Sequence, residues 1–480
     1  MDNVALPRSA PEAQGIRSAD LLAFLDRLED SGEIHTFMLL RRGTVIAEGG
    51  WKPYSPQRLR LANSVSKSFT SACVGIAADE GLLTVRDKVL SFFPEYAPER
   101  PDERLAAMTV EHLLTMSSGH QTDTSPAMMA EEDWVRAFLS LPVEHTPGSV
   151  FVYNSGATYM LSAIVQRLTG QPLLEYARTR LFEPLGIHGV TWETCPKGIT
   201  VGGWGLSANT EHFAKLGQLY LNKGTWQGRR ILSEQWIEAS TGKRIENGSD
   251  PDSDWHQGYG YQFWQCRYGA YRGDGAFGQF IIVLPEQDTV LAITSGVNDM
   301  QSVMRAIWEG LLPALNQEKE AIDLSAGTSQ ALADRLASLH IAVPSDVSTG
   351  RRRDDSSGVR YRLEDNPLGL TEVELREDEQ GGCVVWTQIG QERILNYSCT
   401  TWTLNEWKTP DGVIKISASG GWTDEKNFLL AVRPIETAFV QTYRCRFEGD
   451  TLIINYNSEY DLFGPKQLTL EGKAVTEVSR

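Results

Sequence analysis

At 480 residues, with 41% hydrophobic and 22% charged side chains, the chain has room for a large core and for two domains or more. A net charge of −17 argues against nucleic acid or an anionic membrane surface as partner. The six cysteines, at positions 73, 195, 266, 383, 399 and 445, include no Cys-x-x-Cys pair, so neither a zinc site nor a disulfide framework is indicated.

The stretch from Met1 to Pro11 lacks the basic and apolar regions of a signal peptide, and no apolar run approaches the ~20 residues of a membrane span. The expectation is a cytoplasmic protein with reduced cysteines. Residues 17–30 read as an amphipathic helix, and Thr36–Leu40 with Thr44–Glu48 flank a hairpin turn at Arg41-Arg42-Gly43. Helical patterns then run over 64–80, 109–116, 131–140, 155–169, 173–182, 210–223 and 234–240. A second hairpin, Gln279–Leu284 with Thr289–Ser295, precedes a helix over 301–315. Strands at both ends of a helical insertion predict one antiparallel sheet built from distant segments and flanked by helices, an α+β fold. The expected division is an α+β domain over 1–320, a polar linker over 321–358 and an all-β module over 359–480. Seven short strands are predicted in that module: Val373–Leu375, Cys383–Thr387, Thr400–Leu404, Val413–Ser417, Phe428–Val432, Phe439–Phe447 and Thr451–Asn455. Turns at Gly381-Gly382, Pro410-Asp-Gly412 and Glu448-Gly-Asp450 separate them, as in a sandwich or barrel.

Chemistry concentrates at Ser64-Val-Ser-Lys67, where a hydroxyl and an amine share one helix face a turn apart. A lysine kept neutral by burial can take the proton of a serine nucleophile. The plainer reading is an N-cap serine beside a snorkelling lysine. A second copy of the spacing, Ser240-Thr-Gly-Lys243, reads as a surface turn. The apolar rhythm Val65, Phe69, Ala72, Cys73, Ile76, Ala77 marks the first copy as the start of a buried helix. Tyr153-Asn154-Ser155 precedes another helix and can supply a phenol as proton carrier. Arg272-Gly-Asp-Gly275-Ala276-Phe-Gly leads into a strand, with glycines that let backbone approach a ligand.

In this order the three stretches resemble those of the serine β-lactamase and penicillin-binding-protein superfamily, most nearly its class C-type branch with the related esterases and D-amino-acid peptidases. The likeness covers residues of about 10–315 and includes Met108–Gly119, Leu181–Ile187 and Gly202–Ser207. The C-terminal module is similar to the lipocalin-like domain of some members. The resemblance implies a serine hydrolase that forms an acyl-enzyme on Ser64, with Lys67 and Tyr153 as proton shuttles. The N–H groups of Ser64 and Ala276, beside Gly275, would hold the oxyanion. Asn154, Ser155 and Arg272 would contact substrate, Arg272 as a carboxylate receptor. The implied partners are small esters, amides or short peptides, with D-residues included; no metal or cofactor is implied, and a homo-oligomer is left open. Two departures point away from efficient β-lactam hydrolysis. Ser155 stands where the second motif usually has Asn, and the third lacks its usual opening Lys or His, the nearest cation being Arg272. A true β-lactamase, or a non-catalytic ligand sensor on the same fold, are the alternative readings.

Overall fold

The structure is a computed structural model and describes residues 5–97, 99–317, 326–347, 358–377, 382–409, 412–462 and 464–475. The chain divides into two compact units, residues 1–49 with 56–337, and residues 50–55 with 338–480. Within the expected linker, residues 321–325 and 348–357 lie outside the described residues, while a helix covers Ala326–Ser338 in the first unit. The predicted turns at Gly381 and at Pro410-Asp411 also lie outside the described residues.

The first unit is built on a six-stranded sheet. Helix α1 (Ser18–Asp30) leads into strands β1 (Glu33–Arg41) and β2 (Thr44–Gly50). Arg42 and Gly43 between these strands both have positive φ, 50° and 73°, as a two-residue hairpin turn requires. The buried helix α2 (Ser66–Asp79) follows, and later α3 (Ser155–Thr169) and α4 (Thr210–Leu221). The sheet is then completed by β3 (Trp264–Gln265), β4 (Tyr271–Gly275), β5 (Gln279–Leu284) and β6 (Thr289–Gly296). Its order is β2-β1-β6-β5-β4-β3, so the first and last thirds of this unit meet where β1 pairs antiparallel with β6. Every residue of β4, β5 and β6 is buried, which fits a sheet covered by helices on both faces. Among the described residues no helix is long and apolar enough to cross a membrane.

The second unit is a ten-stranded antiparallel meander, from Arg360–Leu363 through to Gln467–Ala474, that curls into a nearly closed barrel. Three of its strands, Arg360–Leu363, Gln391–Tyr397 and Gln467–Ala474, were not predicted, and Thr403–Thr409 replaces the predicted Thr400–Leu404. The barrel is filled by alternate aromatic and aliphatic side chains, among them Trp386, Trp422, Phe428, Tyr443 and Phe447. Its two edge strands, Gln391–Tyr397 and Thr403–Thr409, are consecutive in sequence, and side chains bridge them. Asn405 donates through Nδ2 to the Asn396 carbonyl at 2.9 Å and accepts from the Asn396 N–H at 2.8 Å. The Trp407 indole N–H reaches the Ile394 carbonyl at 3.0 Å.

Helix α4 lies so close to the sheet that a Cβ at Gly217 would stand 2.6 Å from a Val290 methyl and 2.8 Å from one of Ile281. Gly217→Ala is therefore expected to lower stability by about 1–3 kcal/mol through overpacking. This runs against the gain of about 1 kcal/mol that helix propensity alone would give. Urea melts of the two proteins decide which wins.

Candidate active site

Ser64 sits in a single 3-10 turn, Asn63–Val65, that feeds directly into α2. Asn63 takes a left-handed φ of 47°, a conformation asparagine tolerates better than most residues. Its carbonyl accepts from the Ser66 hydroxyl at 2.6 Å, and its side-chain amide donates to the Ala276 carbonyl at 3.0 Å. One turn on, the Lys67 amine is 1% exposed. It donates to Ser64 Oγ at 3.0 Å, Ser155 Oγ at 3.1 Å and the Gly203 carbonyl at 2.7 Å. Burial lowers the Lys67 pKa to about 7, against the upward pull of Asp123 and Asp274. Near pH 7 about half of such amines carry no proton and can accept one from Ser64.

Tyr153 is delivered by the start of α3. Asn154 caps that helix, its Oδ1 accepting from the N–H of Ala157 and from both the N–H and the hydroxyl of Thr124. The capped turn brings both Tyr153 and Ser155 to the Lys67 amine. The Tyr153 ring stacks on Trp264 with centroids 5.5 Å apart, and the Lys67 amine lies 4.8 Å from its centroid. Burial pushes the phenol pKa upward, with a hydrogen bond to Ser64 opposing. Burial thus favours the neutral form of both groups, the protonated phenol of Tyr153 and the unprotonated amine of Lys67.

Backbone from β4 closes the site. A Cβ on Gly275 would stand 2.4 Å from the Ala62 carbonyl and 3.2 Å from the Ser64 nitrogen, so only glycine lets the strand end press against the Ser64 turn. The carbonyls of the following turn point inward: Gln279 Nε2 donates to those of Ala276, at 3.2 Å, and Phe277, at 3.3 Å. The N–H groups of Ser64 and Ala276 have no acceptor among the described residues. Two unengaged donors beside a nucleophile are what a developing oxyanion needs.

Two of the sequence-based assignments are corrected. Asn154 is fully buried, its Oδ1 taken by the helix cap and Thr124 and its Nδ2 donating to Ser118 Oγ, so it does not face a substrate. Arg272 is also fully buried. It is held by Asp274 at 2.9 Å, the Asp254 carbonyl at 2.8 Å and Cys266 Sγ at 3.1 Å, and it lies over Trp255 and Trp264. Its guanidinium is thus turned inward, onto Asp274, rather than offered at the surface. The rival spacing at Ser240–Lys243 is dispersed: Ser240 is buried and bonds its own helix, while Lys243 is exposed and pairs with Glu246.

Ser64, Lys67, Tyr153, Ser155, Gly275 and Ala276 come together at one place. The sequence reading missed Asn63, Gly203 and Asp123. Asp123 is half-buried, and its Oδ1 accepts from the N–H groups of Ser125 at 3.0 Å and Ser155 at 2.9 Å. Nothing local marked it, whereas Gly203 lay inside the Gly202–Ser207 stretch already singled out.

A family model described as Beta-lactamase matches residues 35–312. The 6-aminohexanoate-dimer hydrolase of Paenarthrobacter ureafaciens is 26% identical over 296 residues, which is 57% of this chain and 75% of that protein. Esterase EstB of Burkholderia gladioli is 28% identical over 210 residues, 37% of this chain and 53% of the esterase. The alignments thus span between about half and three quarters of these relatives. Among solved structures, the octameric penicillin-binding protein homologue from Pyrococcus abyssi aligns over 94% of this chain and 99% of its own. Its TM-score is 0.50 at 16% identity, a likeness of fold.

The buried amine has a measurable signature in stability. Lys67 binds its proton less well folded than unfolded, so the unfolded chain carries more protons between about pH 7 and the ordinary lysine value of 10.5. Wild-type stability therefore rises with pH across that window. Relative to Lys67→Met, which lacks the titration, wild type should gain about 1.4 kcal/mol per pH unit inside it. Paired urea melts at pH 7.5 and 9.5 measure this, and a constant difference would refute the buried-amine assignment.

Proposed function

The chain belongs to the beta-lactamase family, and on that premise we propose that it is a serine hydrolase of small esters, amides or short peptides. The observation that carries this reading is the desolvated Lys67 amine 3.0 Å from Ser64 Oγ. In the proposed reaction, neutral Lys67 takes the Ser64 proton as Oγ adds to the substrate carbonyl. The new Oγ–C bond leaves an oxyanion between the N–H groups of Ser64 and Ala276. Collapse expels the alcohol or amine, which takes a proton relayed from Lys67 by Tyr153. Water, deprotonated by the same pair, then attacks the acyl-enzyme and frees Ser64. The relatives named as an amide-dimer hydrolase and an esterase support an acyl-transfer chemistry of this breadth. A cytoplasmic location is part of the same proposal.

The β-lactamase reading is disfavoured by the engagement of Arg272, which removes the cation that would hold a β-lactam carboxylate. Nitrocefin turnover is accordingly expected to be at least about 10²-fold below that of p-nitrophenyl butyrate in kcat/KM, a gap equivalent to roughly one lost charge-assisted contact. Ester turnover itself should fall by about 10³-fold or more in Ser64→Ala. Equal rates for the variant and wild type would overturn the proposal, and a stable acyl adduct without turnover would make the protein a ligand sensor instead. Because Lys67 must be unprotonated to act, kcat/KM should climb with pH up to about 7 and level off above it.

A further inference from the structure

Of the two acidic groups that act on Lys67, Asp274 is paired with Arg272 and Asp123 is left without a cation partner among the described residues. Asp123 is fixed by two backbone N–H groups, both on Oδ1, while its Oδ2 has no partner among the described residues. The Ser155 residue that it grips touches the Lys67 amine, so the carboxylate stands one residue behind the reacting centre. It acts electrostatically on both Lys67 and Tyr153. The Lys67 amine lies within hydrogen-bond distance of Ser64, Ser155 and Gly203 inside the protein, and Arg272 and Asp274 form an ion pair with one another. Beside them stands an aromatic wall: Phe151 packs on Tyr259 and Trp264 at 5.2 and 5.7 Å, and Tyr153 stacks on Trp264. Phe151 and Tyr153 are only half-buried. Ring faces attract cations and do nothing for a carboxylate.

Resting on the hydrolase reading above, we propose that Asp123 is a specificity-determining residue that receives an ammonium group of the substrate, so that the favoured substrates are amino-bearing esters and amides. The carboxylate is pre-oriented by its two N–H bonds, which lowers the entropy lost when it forms an ion pair. An ammonium there would also favour the neutral form of Lys67 by like-charge repulsion, linking substrate occupancy to the reactive state of the base. A substrate carboxylate in the same place would meet Asp123 with no cation to offset it.

The test uses the full chain and two matched pairs of substrates. One pair places the ammonium on the acyl side, 6-aminohexanoyl p-nitroanilide against hexanoyl p-nitroanilide. The other places it on the leaving side, the butyrate ester of 2-aminoethanol against that of propanol. At least one pair should favour its ammonium member by 10-fold or more in kcat/KM, mainly through KM, and the preference should shrink as salt is raised. Asp123→Asn retains an oxygen for the two N–H groups and should reduce that ratio to about one. Asp123→Glu should restore part of it. Absence of preference in both pairs, or a preference that survives Asp123→Asn, overturns the proposal. Comparing ratios within one protein cancels any general loss of activity, and the wild-type pairs decide the matter even if the variant does not fold. Should both pairs show equal turnover that Ser64→Ala abolishes, the hydrolase reading stands and only the ammonium site falls.

Discussion

Water is kept from the Lys67 amine by a helix that is itself almost wholly buried, from Ser66 to Ala77. A helix so placed would normally be apolar on every face. This one carries Ser66, Ser68, Thr70 and Ser71, and each hydroxyl donates to a carbonyl: those of Asn63, Gln262, Gly202 and Tyr261. Three of those carbonyls belong to loops that would otherwise bury unsatisfied oxygens, at about 1–3 kcal/mol each. The hydroxyls therefore fasten the loops around 202–206 and 259–262 to the helix. The same fastening sets the Gly203 carbonyl against the lysine amine. Desolvation, loop conformation and the basicity of Lys67 are one constraint seen from three sides.

A second layer supports the backbone of β4. Asp254 is fully buried and collects the Arg267 guanidinium, the Gln301 amide and the Trp308 indole, while its carbonyl holds Arg272. Arg272 in turn holds Asp274 on the same strand. Burying charges this way adds little net stability, because desolvation offsets most of the attraction. What it provides is position: the strand end carrying Gly275 and Ala276 is tied to the helix that begins at Met300. Removing either partner would leave an uncompensated charge in the core, which is far more damaging than replacing both.

Much of this was legible in the sequence. The two hairpins, the helical rhythm behind Ser64 and the pairing of Ser64 with Lys67 depend on local spacing, which a linear reading captures; Tyr153 joined them only through the family resemblance. The strand Gln391–Tyr397 was missed because four of its seven residues are exposed and polar patterning hides it. The errors at Arg272 and Asn154 were avoidable in principle. Arg272 and Asp274 are two apart on a strand and so share a face. Asn154 stands just before a helix, where asparagine most often serves as a cap. Asp123 is different: its partner Ser155 is 32 residues away, and only the folded chain brings them together.

The barrel's line of closure has a consequence of its own. Nine of its strand junctions are continuous ladders, but the tenth, between Gln391–Tyr397 and Thr403–Thr409, relies on Asn405 and Trp407 side chains. That junction is spanned by the connection from Ser398 to Trp402. If the seam opens, its two lips stay tethered at millimolar effective concentration or above, and reclosure is intramolecular. A strand from another molecule must compete with that local partner before it can pair with either exposed edge. Among the described residues, the barrel thus places this side-chain-bridged junction between strands that are consecutive in sequence.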